Sequence, residues 1–222
     1  MIKNDASDDR HPYCGDTLLF SLVQAAGWPV WFLIIASIAA LALIGERFMS
    51  LRRSQIMPSG LLDEVVMLLK NRQITPELVA KLSRTSPLGR VLASGLRRAG
   101  MGRAAIRESM EETGRAVGHD LGRYLSALGT IATAAPLLGL FGTVIGMIEI
   151  FGSQTPEGLD PQRMAYGISI ALYNTALGIL VAIPALIFYR HFRARVDHYL
   201  SDMEQQAVRL TDEMTNVGLD RR

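Results

Sequence analysis

Three polar residues in apolar surroundings carry what chemistry this chain can do. Thr143 lies in LFGTVIG, and Asn174 and Thr175 lie in ALYNTALG. Each sits in the middle of a stretch long and apolar enough to cross a bilayer. A hydroxyl or a carboxamide at that depth can exchange hydrogen bonds with water or with a titrating group, but neither gains or loses a proton near neutral pH. A lone threonine can satisfy its hydroxyl on the preceding turn. Asparagine cannot do so as easily, and its uncompensated burial costs on the order of several kcal/mol. Glu149, near the end of the stretch that holds Thr143, is the ionisable candidate, because an acid within a span is functional by default. No Asp, Glu, His, Lys or Arg lies in the central part of any span. A proton path through these spans therefore needs an acid supplied by a partner.

Other chemistries find little support. His11, His119, His191 and His198 show no metal-ligand spacing, and His191 and His198 are flanked by Arg190, Arg193 and Arg195, a poor setting for a cation. The single cysteine, Cys14, excludes an internal disulfide. A net charge of +2 over 222 residues gives no reason to expect nucleic acid. No nucleophile, base and orienting residue cluster together, so no enzyme is expected, and no cofactor beyond protons as a coupling ion.

The fold expected to position these residues is all-α and integral to the membrane. Residues are 49% hydrophobic yet 20% charged, so their distribution decides the class. Three segments reach the ~20 apolar residues that a spanning helix needs: residues 28–45, 125–152 and 164–189. The first follows a mostly acidic N-terminus and precedes no small-residue cleavage site, so it reads as a retained anchor. Of the 23 lysines and arginines, Lys3 and Arg10 precede the first span. Fourteen lie between Arg47 and Arg123, Arg163 stands between spans two and three, and six follow span three. The basic side is expected to be cytoplasmic. Residues 1–27, with an interfacial helix at Thr17–Ala26, and the turn 153–163 then lie outside. Residues 46–124 and 190–222 lie inside.

The inner region shows helical period. Thr75-Pro76 and Ser86-Pro87 each read as an N-cap with proline at the first helical position, opening helices through Thr85 and Ala99, and an earlier helix fits Leu61–Arg72. From Arg103 an apolar stripe of Ile106, Met110, Thr113, Val117, Leu121, Tyr124 and Leu128 predicts one helix running unbroken into span two. Beyond span three, Phe192, Val196, Tyr199, Met203, Ala207, Leu210 and Met214 form a near-heptad stripe. Two long helices joined by a short turn must run antiparallel.

Small residues cluster on one face of each of these spans. In span two they are Ala132, Ala135, Gly139, Gly142 and Gly146, with Thr143 at the edge. In span three they are Gly167, Ala171, Thr175, Gly178, Ala182 and Ala185, with Asn174 alongside. Small faces let backbones approach closely. Packing of span on span explains them, and so does a polar lumen. Pro136 and Pro184 are expected to bend their helices.

AAPLLGLFGTVIGM and ALYNTALGILVAIPALIFY resemble spans two and three of the TolQ/ExbB/MotA proton-channel family, its ExbB branch most of all. The likeness covers roughly residues 17–200, while the four-span MotA branch fits less well. The resemblance implies a homopentamer in the bacterial inner membrane around a lumen lined by spans two and three. Within it would sit single-span partners of the ExbD/TolR type, each with an essential aspartate, that act on a TonB-like protein. It carries the lumen threonines onto Thr143 and Thr175, while Asn174 differs from the small residue the family leads one to expect. The small faces themselves offer Asn174, Gly139, Gly142, Gly146, Ala171, Gly178 and Ala182 as pore-lining candidates, with Glu149 as the proton-entry candidate. Where the family often has a span-three glutamate, this chain has Ile170. A TolQ-like role in envelope maintenance and a non-conducting scaffold for a single-span partner remain as alternatives.

Overall fold

The structure is a computed structural model and describes residues 28–152 and 161–218. The expected interfacial helix at Thr17–Ala26, Cys14, residues 153–160 of the turn and residues 219–222 lie outside the described residues. Helices in chain order are α1 (Pro29–Ser50), α2 (Arg53–Ile56), α3 (Leu61–Lys70), α4 (Pro76–Thr85), α5 (Pro87–Arg97), α6 (Arg103–Gly122), α7 (Leu125–Gly152) and α8 (Pro161–Asn216). There is no strand among the described residues. Three helices are long and apolar enough to cross a membrane: α1, α7 and the stretch from Met164 within α8. At 1.5 Å per residue, the 56 residues of α8 extend about 84 Å, well beyond the apolar stretch.

The chain divides into two compact units, one of residues up to Ala39 with Ile131–Ile183, the other of Ala40–Thr130 with Pro184 onward. In the first, Leu33 of α1, Ala135 of α7 and Ala182 of α8 form a buried core, with Leu138, Leu177 and Val181 packed against it. The Trp28 ring meets Phe141 edge-on at 6.0 Å. Large side chains point away from this core: Tyr166, Leu172, Tyr173 and Leu180 are all exposed, as an apolar surface meant for lipid or other helices would be.

In the second unit α6 runs antiparallel to the distal half of α8. Gly118 faces Leu200, Met110 receives a Thr211 hydroxyl contact at 3.8 Å, and Arg103 pairs with Asp212 at 2.6 Å. The two predicted stripes meet here. Ile106, Met110, Val117, Leu121 and Leu128 are buried, as are Phe192, Val196, Tyr199, Met203, Leu210 and Met214. Both predicted caps form: Thr75 accepts the Leu78 amide and Ser86 accepts the Gly89 amide, each with proline next in line. Helix α5 ends at Arg97 rather than Ala99, ahead of the positive-φ glycines Gly100 and Gly102. Helix α3 ends at Lys70 rather than Arg72, whose φ of 55° leaves the helical region. At α1 the helix continues past the predicted Gly45 to Ser50.

The largest departure is at Arg123–Tyr124. The expected unbroken helix from Arg103 is interrupted there, between α6 and α7. Arg123 keeps helical dihedrals, but its amide reaches back only to Asp120, at 3.4 Å. The interruption shifts the phase of the stripe, so Leu125 is buried and Tyr124 is exposed. Thr113 is half-buried.

A helix that ends leaves carbonyls without intrahelical partners. Here a side chain from 74 positions away supplies one. Arg47, 3% exposed near the end of α1, donates from Nη1 to the Leu121 carbonyl at 3.1 Å. Its Nε lies 3.2 Å from a Glu46 carboxylate oxygen, and its guanidinium carbon lies 4.9 Å from the Tyr124 ring centre. Arg123 approaches the same ring at 5.5 Å. The first loop residue after α1 is held likewise, since the buried Tyr199 hydroxyl donates to the Leu51 carbonyl at 3.1 Å.

A hydrogen bond from a charged donor contributes about 1.5–3 kcal/mol. Arg47→Met should therefore destabilise the purified protein by about 2 kcal/mol, and Arg47→Lys by less, since it keeps the charge and loses the planar ring contact. Thermal unfolding in detergent measures this, and an Arg47→Met protein as stable as the parent would show that the Leu121 contact contributes nothing.

Candidate functional site

The site is built where α7 crosses α8. Glycine spaces the two helices. A methyl added to Gly139 would lie 2.7 Å from the Asn174 carbonyl oxygen and 3.0 Å from the Thr175 Cα. One added to Gly178 would lie 2.6 Å from the Ala135 carbonyl oxygen and 3.1 Å from the Gly139 Cα. These neighbours are backbone atoms, which cannot swing aside. Gly142 faces the side chain of Asn174, with Nδ2 2.9 Å and Cβ 3.0 Å from the position of an added methyl. Gly146 is looser, its nearest neighbour being the Ala171 Cβ at 3.5 Å. Gly167 packs on Ile150 near the C-terminal end of α7.

Asn174 is 2% exposed and fills the room that Gly139 and Gly142 leave on α7. A bulky polar residue on one helix matches two glycines on the other, with the carboxamide sealed in the seam.

Of the nine residues expected to line a pore, Gly139, Gly142, Ala171, Asn174, Gly178 and Ala182 are buried. In the single chain they line the helix–helix seam, and close approach of two backbones is the physical reason they are small. Thr143, Thr175 and Gly146 are half-buried at its edge. The Thr143 hydroxyl donates to the Leu140 carbonyl of its own helix at 2.6 Å. Its proton is thereby engaged, which leaves the oxygen as an acceptor. Such an oxygen complements a protonated carboxylic acid, which donates, better than an ionised carboxylate, which only accepts. Glu149 is exposed, three residues from the end of α7, and Ile170 is half-buried. Pro136 and Pro184 lie inside continuous helices. No metal-holding group of His, Cys, Asp or Glu occurs among the described residues. His198 instead lies 3.6 Å from Asp202, which also approaches Arg53 at 3.7 Å.

Sequence reasoning treated Arg47 only as a charge that orients the chain. Nothing in the sequence ties it to Leu121 and Tyr124, since no periodicity links positions so far apart.

Three helices long and apolar enough to cross a membrane, with no Asp, Glu, His, Lys or Arg at mid-depth among the described residues and a polar edge beside a glycine seam, define a polytopic membrane protein. The MotA/TolQ/ExbB proton channel family matches residues 83–205, and the chain belongs to it. An ExbB-like biopolymer transport protein of Synechocystis is 31% identical over 163 residues, 71% of this chain and 77% of that one. The biopolymer transport protein exbB1 of Vibrio cholerae is 29% identical over 177 residues, 76% of each chain. An ExbB homologue of Methanothermobacter thermautotrophicus is 33% identical over 133 residues, 60% of this chain, and the match spans 46% of that longer protein.

The seam gives a graded prediction. Overpacking a tight contact costs about 1–3 kcal/mol, so Gly139→Ala and Gly178→Ala should each lower stability by that amount. Gly146→Ala, meeting only ordinary contact, should be near neutral. Thermal unfolding of the three variants in one detergent provides the ranking, and equal effects at Gly139 and Gly146 would contradict the seam.

Proposed function

We propose that this chain is the channel subunit of an ExbB-type complex that uses the proton-motive force to drive biopolymer transport. In this reading it sits in the bacterial inner membrane with residues 1–27 and 153–163 periplasmic. Residues 46–124 and 190–222 are cytoplasmic, which accords with fourteen of the 23 basic residues falling between Arg47 and Arg123. Five copies form a ring. Single-span partners of the ExbD/TolR type occupy its lumen and bring the aspartate that the spans lack. Their motion is passed to a TonB-like protein, and protons are the coupling ion.

One observation carries the reading. The hydroxyls of Thr143 and Thr175 lie half-buried at mid-depth on the edge of the seam, and neither gains or loses a proton near neutral pH. The lumen wall is then made by these threonines and Gly146, with the glycines behind them holding the wall's thickness. Glu149, exposed at the outer end of α7, attracts cations to the mouth.

Two experiments test this. Liposomes holding the chain alone should stay tight to a pH gradient, and leakage that scales with protein in the absence of any partner would exclude a borrowed acid. In cells, Thr143→Val and Thr175→Val keep side-chain shape and remove the hydroxyl. A hydrogen bond to a neutral acid contributes about 0.5–1.5 kcal/mol, roughly 2- to 10-fold in rate. Each variant should lose transport by that order while the complex still assembles. Transport at the parental level in the double variant would remove the threonines from the wall.

A further inference from the structure

We infer that helix α3 of one copy docks into a groove between α6 and α8 of its neighbour, and that this contact joins the copies below the spans. The inference rests on the ring proposed above and names the surfaces that close it.

The groove encloses about 330 Å³, within the range of a site that takes a bulky side chain. Met110, Met203 and Ala207 form its floor, and Arg103, Arg107 and Arg115 stand on its rim. Two acids, Glu111 and Glu204, share that rim. Arg103 is paired with Asp212 and Arg107 with Glu111, while Arg115 has no ion pair among the described residues. On the groove side of α8, Val208 is 46% exposed although apolar.

Helix α3 offers the complementary shape and charge. It buries Leu62, Val65 and Leu69 and turns Asp63, Glu64 and Met67 outward. Met67 is 63% exposed, and its flexible thioether suits an irregular methionine-floored groove. Neither Asp63 nor Glu64 has an ion pair among the described residues. Docking would seat Met67 on Met110 and Met203, and bring the two carboxylates to Arg115.

The placement of the two surfaces is what a ring needs. Helix α3 lies along α8 at Gln206, Arg209 and Glu213, with Lys70 3.1 Å from Glu213. The groove lies along α8 from Leu200 to Thr211. Both are thus at one level along the helix. At about 100° per residue, Gln206, Arg209 and Glu213 fall on one flank of α8, and Met203, Ala207 and Thr211 fall on another, about 130° around the helix. Two different surfaces, at the same height and separated by less than a half-turn of α8, suit a head-to-tail contact that closes into a ring about an axis along α8.

The test is a cross-link. In a Cys14→Ser background, Met67→Cys and Val208→Cys are combined in the full chain, co-expressed with its partners, and oxidised in native membranes. Met67 points outward from α3 and Val208 lies about 130° around α8 from the flank that α3 covers, which places the two cysteines too far apart for a bridge within one chain, since bridged Cα atoms lie within about 7 Å. A denaturing gel should show a ladder rising to the copy number of the ring, and neither single cysteine should give it. Like charges at an interface are strongly disfavoured, so Asp63→Lys with Glu64→Lys should cut cross-linking at least about tenfold, and adding Arg115→Glu should restore it. A ring intact by native mass spectrometry but with no ladder overturns this contact and leaves the proposed function standing. A parent protein that is monomeric by the same measurement overturns the ring as well.

Discussion

Two backbones in contact at Gly139 and Gly178 set the distance on which the membrane part of this protein depends. With no hydrophobic drive between helices in lipid, association comes from close packing and from polar groups that have nowhere else to go. The seam uses both. Glycine removes the side chains that would hold α7 and α8 apart, and Asn174 occupies the space this creates on the opposing face. Every other feature of the site follows from that spacing. Because the small residues are spent on the seam, the polar edge falls to Thr143 and Thr175, which border it. A wider crossing would bury neither asparagine nor glycine and would leave a carboxamide facing hydrocarbon.

A second constraint operates where α6 gives way to α7. Ending a helix beside a membrane span leaves carbonyls that lipid cannot satisfy. Arg47 and Tyr199 meet this need from other helices, one on Leu121 and the other on Leu51. The charge of Arg47 is tolerable in so enclosed a position because Glu46 and the face of Tyr124 surround it. These polar contacts fasten three helices at one place, in a way that apolar packing alone would leave free to slide.

Much of this architecture is readable in the sequence, for physical reasons that are local. The spans announce themselves by length and composition. Thr75 and Ser86 start their helices because a hydroxyl followed by proline suits that position and few others. The stripe from Phe192 to Met214 repeats closely enough to identify a buried face. Other features leave no local trace. The interruption at Arg123–Tyr124 keeps helical dihedrals at Arg123 and contains no proline, so periodicity is disturbed only by the exchange of Tyr124 for Leu125 on the buried face. Gly118 and Gly122 were the available signals, each lowering helix propensity just before the break. The small faces were equally visible, but what they face was not, because a sibling helix and a partner helix demand the same residues. In the folded chain six of the candidates are buried where α7 and α8 pack together.

The arginine that closes the junction has a history as well as a position. Its partners Leu121 and Tyr124 lie 74 and 77 residues further along the chain. Ribosomes add about 5–20 residues per second, so the guanidinium waits several seconds for the carbonyl it will hold. Tyr199 arrives later still, 148 residues after Leu51. The first span is thus synthesised before the groups that fix its end, and it is secured in stages, first by the end of α6 and then by the distal half of α8. A ribosome that stalls between Tyr124 and Tyr199 leaves the first helix held through Arg47 alone, with the Leu51 carbonyl still waiting for its donor.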